Sequence, residues 1–136
     1  MKLLLDTNII IEIITKRDGY LESLQILRWC EAKIVDGFVT ATTITDLMYI
    51  LRKHIDPEKV RETVQKLLLV IDVAGVLKSD ILAAFINGMR DYEDAVQASC
   101  AGRIKADYIV TRNAKDFIGS PIPAILPSEA STLIKQ

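Results

Sequence analysis

Apolar and polar positions along the chain switch repeatedly between two patterns, short apolar runs of strand length and longer stretches with helical spacing. Leu3, Leu4 and Leu5 form the first run and predict a strand over 2–5, after which the chain turns helical through Ile14. A second helix is predicted from near Tyr20, with Tyr20, Leu24, Leu27 and Ile34 on one face and Ile26 and Cys30 widening it. Residues 37–40 read as a short strand and 44–53 as a helix. Asp56-Pro57 then marks a helix start, with Asp at the N-cap and Pro in the first turn. That helix carries Val60, Val64, Leu67 and Leu68 inward, and a strand follows at 70–73, closed by Gly75. Helices near 79–88 and 92–105 lead to a strand at 107–110. Asn113 opens a short helix, 124–126 form a last short strand, and Pro127-Ser128 lead into a C-terminal helical turn.

Strands alternating with helices predict parallel pairing through right-handed crossovers, and hence an α/β fold built as a three-layer α/β/α sandwich. At 136 residues the expectation is a single domain over 1–136 with a core large enough to need no staples. Charge excludes one class of partner recognition. Seventeen Lys and Arg against eighteen Asp and Glu leave a net charge of −1, so nucleic acid is not attracted by net charge, although a local basic patch is compatible. The two cysteines, Cys30 and Cys100, lie within apolar helical patterns and read as buried free thiols of a reducing compartment rather than a disulfide framework. The opening apolar run is too short for a signal sequence, and no segment approaches the ~20 apolar residues that cross a bilayer. The expectation is a cytoplasmic protein with no membrane partner.

Asp6, Asp46, Asp94 and Asp116 each fall just past a strand or at the start of the following helix. In open α/β sheets, ligands bind beyond the carboxyl ends of the strands, so acids far apart in sequence converge there. Converging carboxylates repel, and a hard divalent cation offsets that repulsion while keeping waters and accepting phosphate oxygens. His54 stands alone, so no softer His/Cys site competes. Mg²⁺, or Mn²⁺ in its place, is the expected ion. Helix capping is the competing explanation. Thr43-x-x-Asp46, Asp91-x-x-Asp94 and Asn113-x-x-Asp116 all have capping-box spacing, and acids in a first turn also gain from the helix dipole. Asp6 has no such explanation, because it closes an apolar strand where a charge needs a partner.

In four blocks the sequence resembles the PIN-domain family. These are Leu3-Leu4-Leu5-Asp6-Thr7-Asn8, Thr40-Ala41-Thr42-Thr43-Ile44-Thr45-Asp46-Leu47, Asp91-Tyr92-Glu93-Asp94-Ala95, and Val110-Thr111-Arg112-Asn113-Ala114-Lys115-Asp116-Phe117. The resemblance implies a sheet of about five parallel strands in the order 3-2-1-4-5, and Mg²⁺- or Mn²⁺-dependent hydrolysis of RNA phosphodiester bonds. It makes Asp6, Asp46, Asp94 and Asp116 the catalytic and metal-binding set, with Asn8, Thr111 and Asn113 orienting ligands or phosphates. Many single-domain members are toxins of VapBC-type toxin–antitoxin pairs, which implies a small antitoxin partner and a homodimer. Many relatives carry Glu where Asp46 stands, so the shorter arm here is expected to reach the metal through water.

Outside this set, Asp91 is the better candidate than Glu93 to support the metal ligands. Arg112, at the site's edge, reads either as a phosphate contact or as an ion pair. His54 reads as a helix C-terminal cation and Trp29 as core or interface. The stretch Ile44, Leu47, Met48, Tyr49, Ile50 and Leu51 is apolar nearly all round, as in a central core helix or one shared with a second subunit. Other α/β phosphate chemistries lack their residues here. Asn8 stands where a haloacid-dehalogenase-like phosphatase needs its second Asp, no receiver-type acid and lysine pattern occurs, and there is no glycine-rich phosphate loop. The alternative from another class is a PIN fold that only binds RNA or protein.

Overall fold

A computed structural model describes all residues, Met1–Gln136. The elements, in chain order, are β1 (Lys2–Leu5), α1 (Thr7–Thr15), α2 (Tyr20–Glu31), β2 (Asp36–Thr40), α3 (Ala41–Leu51), α4 (Pro57–Leu67) and β3 (Asp72–Ala74). There follow α5 (Lys78–Ala84), α6 (Tyr92–Arg103), β4 (Tyr108–Val110), a 3₁₀ turn (Ala114–Phe117), β5 (Ala124–Ile125) and α7 (Pro127–Lys135). The five strands form one sheet in the order β3-β2-β1-β4-β5, every pair parallel.

Strand β1 is central and buried on both faces, which is why it reads as an unbroken leucine run. Its alternation decides which layer each leucine joins. Leu3 and Leu5 pack with α1, α2, α3, α4 and α7 through Ile9, Ile10, Ile26, Leu47, Leu51, Val60 and Ala130. Leu4 points the other way, onto Ala98 and Ala101 of α6 with Ile109 and Phe117. Helix α5 packs against α6 on that second side through Ala84, Ala95 and Cys100. The three layers are thus helices, sheet and helices.

Where α2 meets β2 the backbone of Gly37 lies against Cys30. A Cβ there would meet Cys30 Sγ at 2.6 Å and Ile71 Cγ2 at 3.2 Å. Gly37→Ala is expected to destabilise the fold by roughly 1–3 kcal/mol through overpacking, measured by urea unfolding.

Several local expectations need correction. Helix α3 begins at Ala41 rather than Ile44, because the chain turns directly out of β2 at Thr40. Leu68 and Ile34 are exposed, since α4 and α2 end before them. On α2 the most buried positions are Ser23, Ile26 and Cys30, so its inward face is rotated away from Leu24 and Leu27. The C-terminal turn is a complete helix. Leu47 and Leu51 of α3 are fully buried, and Ile44, Met48 and Ile50 pack half-buried on the same core. Most of that helix's apolar surface is therefore used within one chain. Both cysteines are free and buried, with their thiols pushed up to about 11 by burial. No helix is long and apolar enough to cross a membrane.

Candidate active site

Asp6 follows β1 at the carboxyl edge of the sheet and is only 4% exposed. Its carboxylate is held from both sides by uncharged donors. Thr111 Oγ1 donates to Oδ2 at 2.9 Å, and Gln97 Nε2 donates to Oδ1 at 3.1 Å. Thr111, fully buried beyond β4, also accepts from the Asn113 backbone N–H at 3.1 Å. Its hydroxyl proton is therefore directed at Asp6. Gln97 comes from α6, and its Oε1 is buried with no hydrogen-bond partner. Turning that amide over would set its oxygen against the carboxylate, so Asp6 fixes its orientation.

Asp94 enters from the first turn of α6. The N-cap Asp91 accepts the Asp94 backbone N–H at 2.9 Å, as its spacing predicts. The Asp94 side chain faces the other acids, and its pKa is pushed up to about 7 by burial first, then by Asp6, Asp91, Asp116 and Glu93. Asp116, on the 3₁₀ turn, lines one hollow with Asp94, Asp91 and Arg90. Asp6, Asp94 and Asp116 are thus brought together, with Asp91 at the rim. Asp46 stands apart. It lies on α3, and its nearest effect is on Glu93, whose pKa it raises as the largest cause, ahead of burial and Asp91.

Capping does not explain Asp46 or Asp116. Thr43 is not an N-cap but bonds the hydroxyls of Thr7 at 2.8 Å and Thr40 at 3.2 Å. Asn113 makes no side-chain cap. Asn8 is exposed in the first turn of α1. Arg112 is turned to another task. Its guanidinium donates to Glu12 at 2.9 and 2.8 Å and to the Gly19 carbonyl at 2.7 Å. Glu12 is buried and also accepts from Ser23 Oγ at 2.5 Å. Burial would raise the Glu12 pKa, but the bonds from Arg112 and Ser23 outweigh it and leave the carboxyl below its ordinary range. This clamp ties α1 and the loop before α2 to the segment carrying Thr111 and Asn113. Gln97 and Glu12 were missed from sequence. A Gln or Glu inside a helix looks solvated unless its helix face is known.

The acids offer oxygen donors only, and none of Asp6, Asp46, Asp91, Glu93, Asp94 or Asp116 forms an ion pair with Lys or Arg. No three acid, His or Cys side chains close tightly enough to hold a metal ion by themselves. That openness fits Mg²⁺, which keeps several waters and takes one or two protein carboxylates beside substrate phosphates. It fits Zn²⁺ poorly.

The model of the PIN domain matches residues 2–115. Among solved structures, the chain is similar to VapBC2 from Rickettsia felis bound to a DNA fragment from its promoter. The identity is 21% over 93% of this chain and 98% of the other, with a TM-score of 0.72. A toxin–antitoxin complex from Klebsiella pneumoniae gives 21% identity over 92% and 97%, with a TM-score of 0.70. DNA-bound VapBC from Salmonella typhimurium gives 20% over 93% and 98%, with a TM-score of 0.71. No curated protein matches the chain. These structural likenesses establish the shared fold, and the match over residues 2–115 establishes the family: this chain belongs to the PIN-domain proteins.

Proposed function

We propose that the chain is a Mg²⁺- or Mn²⁺-dependent endoribonuclease acting in the cytoplasm, and the toxin of a VapBC-type pair held in check by a small antitoxin. The observation that carries this reading is Asp6. It is a buried carboxylate at the end of the central strand, oriented by Thr111 and Gln97 and facing other acids with no basic partner. The ion would sit among Asp6, Asp94 and Asp116, bound directly by one or two of these carboxylates and through water by the rest, and Asp46 would reach it through water. A bound ion of this kind supplies a nucleophile from water at neutral pH and neutralises charge on the phosphate. The chain's own residues set the geometry. Thr111 and Gln97 fix the Asp6 carboxylate, the Asp91 cap fixes the start of α6, and Asn113 and Asn8 would position an entering phosphate.

The toxin assignment rests on the likeness to toxin–antitoxin complexes, and homodimer formation belongs to the same proposal, measured by light scattering. The open spacing of the acids favours one other reading, a PIN fold that binds RNA or a protein without cleaving. RNA cleavage by the purified protein, with Mg²⁺ and with EDTA, decides between them. Cleavage that persists in EDTA, or none in Mg²⁺ and Mn²⁺, overturns the nuclease reading.

Gln97 provides a finer test. Groups that orient metal ligands typically change affinity by about 10–100-fold when removed. Gln97→Leu is therefore expected to weaken Mn²⁺ binding by roughly that factor in calorimetry. The far-UV spectrum should not change, because the one hydrogen bond of the lost amide goes to the Asp6 side chain and none goes to the backbone.

A further inference from the structure

Helix α3 turns most of its apolar side chains inward, yet Tyr49 is 55% exposed. The Arg52 guanidinium carbon lies 4.3 Å from the centre of its ring and the Lys53 ammonium 5.0 Å from it. Arg61 of α4 lines the same hollow as Tyr49 and Arg52, with Thr45 and Met48 beside them. None of these three cations forms an ion pair. In a chain of net charge −1, two unpaired cations against one exposed aromatic ring, with a third in the same hollow, are a strong local departure.

Position adds the second half of the argument. Tyr49 is three residues and Lys53 seven residues beyond Asp46, so all three lie along one side of α3 and the turn that continues it. At a rise of 1.5 Å per residue, Asp46 and Lys53 are separated by roughly 10 Å along the axis. An RNA strand lying along this side of α3 would meet Asp46 and then this patch.

On the reading that the chain acts on RNA, we propose that Tyr49, Arg52, Lys53 and Arg61 form a binding subsite for single-stranded RNA. A base stacks on the exposed phenol, or on the guanidinium plane beside it, while the flanking phosphates meet the cations. The cation–ring contacts keep Arg52 and Lys53 near the stacking surface before RNA arrives. Stacking tolerates any base, so the subsite contributes affinity and direction rather than sequence choice.

The test is fluorescence anisotropy of a short labelled oligouridine in EDTA, where metal-dependent cleavage is absent. Tyr49→Ala is expected to weaken binding about five-fold or more, and Tyr49→Phe to retain wild-type affinity. Arg52→Gln with Arg61→Gln is expected to lower the slope of log affinity against log salt by about 1.4, two phosphate contacts of a single strand. Unchanged affinity in Tyr49→Ala, equal losses in the Ala and Phe variants, or no RNA binding by the wild type overturns the subsite. So does polyglutamate binding with the same Tyr49 dependence, which would assign the patch to an acidic protein partner. The nuclease reading fails separately. Tyr49-dependent binding by a protein that does not cleave leaves the subsite standing, and cleavage with no Tyr49 dependence does the reverse.

Discussion

Asp94→Asn is expected to abolish Mg²⁺-dependent RNA cleavage while raising the melting temperature of the metal-free protein at pH 8. The two effects have one cause. The Asp94 carboxyl is held at about 7 by burial and by Asp6, Asp91, Asp116 and Glu93, so ionising it in the folded protein works against those neighbours. In the unfolded chain it ionises near 4. A group raised in this way stabilises the fold fully below the unfolded value, and that contribution is lost as pH rises through about 7. Wild-type protein in EDTA should therefore lose stability between pH 4 and 8, and Asp94→Asn should lose less. Solvent screening at this half-buried site reduces the gain at pH 8 to roughly 1 kcal/mol, about 4 °C for a chain of this size. Mg²⁺ should raise the melting temperature of wild type and affect the variant far less, because only the folded wild type binds it well. Cleavage should fall by roughly a thousand-fold or more, since the metal contributes several kcal/mol to the transition state. A variant that cleaves normally, or that melts lower than wild type in EDTA at pH 8, sinks the shared cause.

The elements most legible in the sequence are those whose burial is one-dimensional. Leu3, Leu4 and Leu5 are buried on both faces of the sheet, so their run predicts a central strand without any knowledge of partners. Asp6 follows from the same reasoning, because a carboxylate ending such a strand has to be held by something. Thr43 and Asn113 show the limit. Each has the side chain and spacing of a cap, but Thr43 lies inside α3 and bonds the hydroxyls of Thr7 and Thr40. Local spacing does not say where a helix begins when the preceding strand feeds it directly. Gln97 and Glu12 were invisible for another reason. Their partners, Asp6 and Arg112, lie 91 and 100 residues away, and only the sheet order brings them into contact. Arg112 was legible as a charged group at the site's edge, but the direction it faces is a tertiary fact.

Arg112→Ala is expected to destabilise the protein by about 3 kcal/mol at neutral pH, because it strands a buried charge. Glu12 is 5% exposed and receives two guanidinium bonds, so removing the base leaves its carboxylate with Ser23 alone. The Arg112 side chain is 30% exposed, which admits some water and places the loss at the lower end for buried pairs. The pH dependence gives the cause its signature. With Arg112 present, Glu12 is depressed, and its stabilising contribution holds above the unfolded value and is lost as pH falls through the folded one. Without Arg112 burial is opposed only by the Ser23 bond and the more distant charge of Arg17, so Glu12 rises and accepts a proton more readily. The variant's deficit should therefore be largest near pH 7 and shrink towards pH 4, as read by urea unfolding at each pH. Glu12→Gln added to Arg112→Ala should recover much of the loss, since a neutral amide keeps the Ser23 bond without a buried charge. A phosphate-contact role for Arg112 predicts the reverse. Stability would be untouched, RNA affinity would fall, and Glu12→Gln would rescue nothing. Because Thr111 and Asn113 flank Arg112, loosening the clamp should also free the hydroxyl that orients Asp6. Mn²⁺ affinity of the still-folded variant should then drop, and a normal affinity would separate the clamp from the metal site.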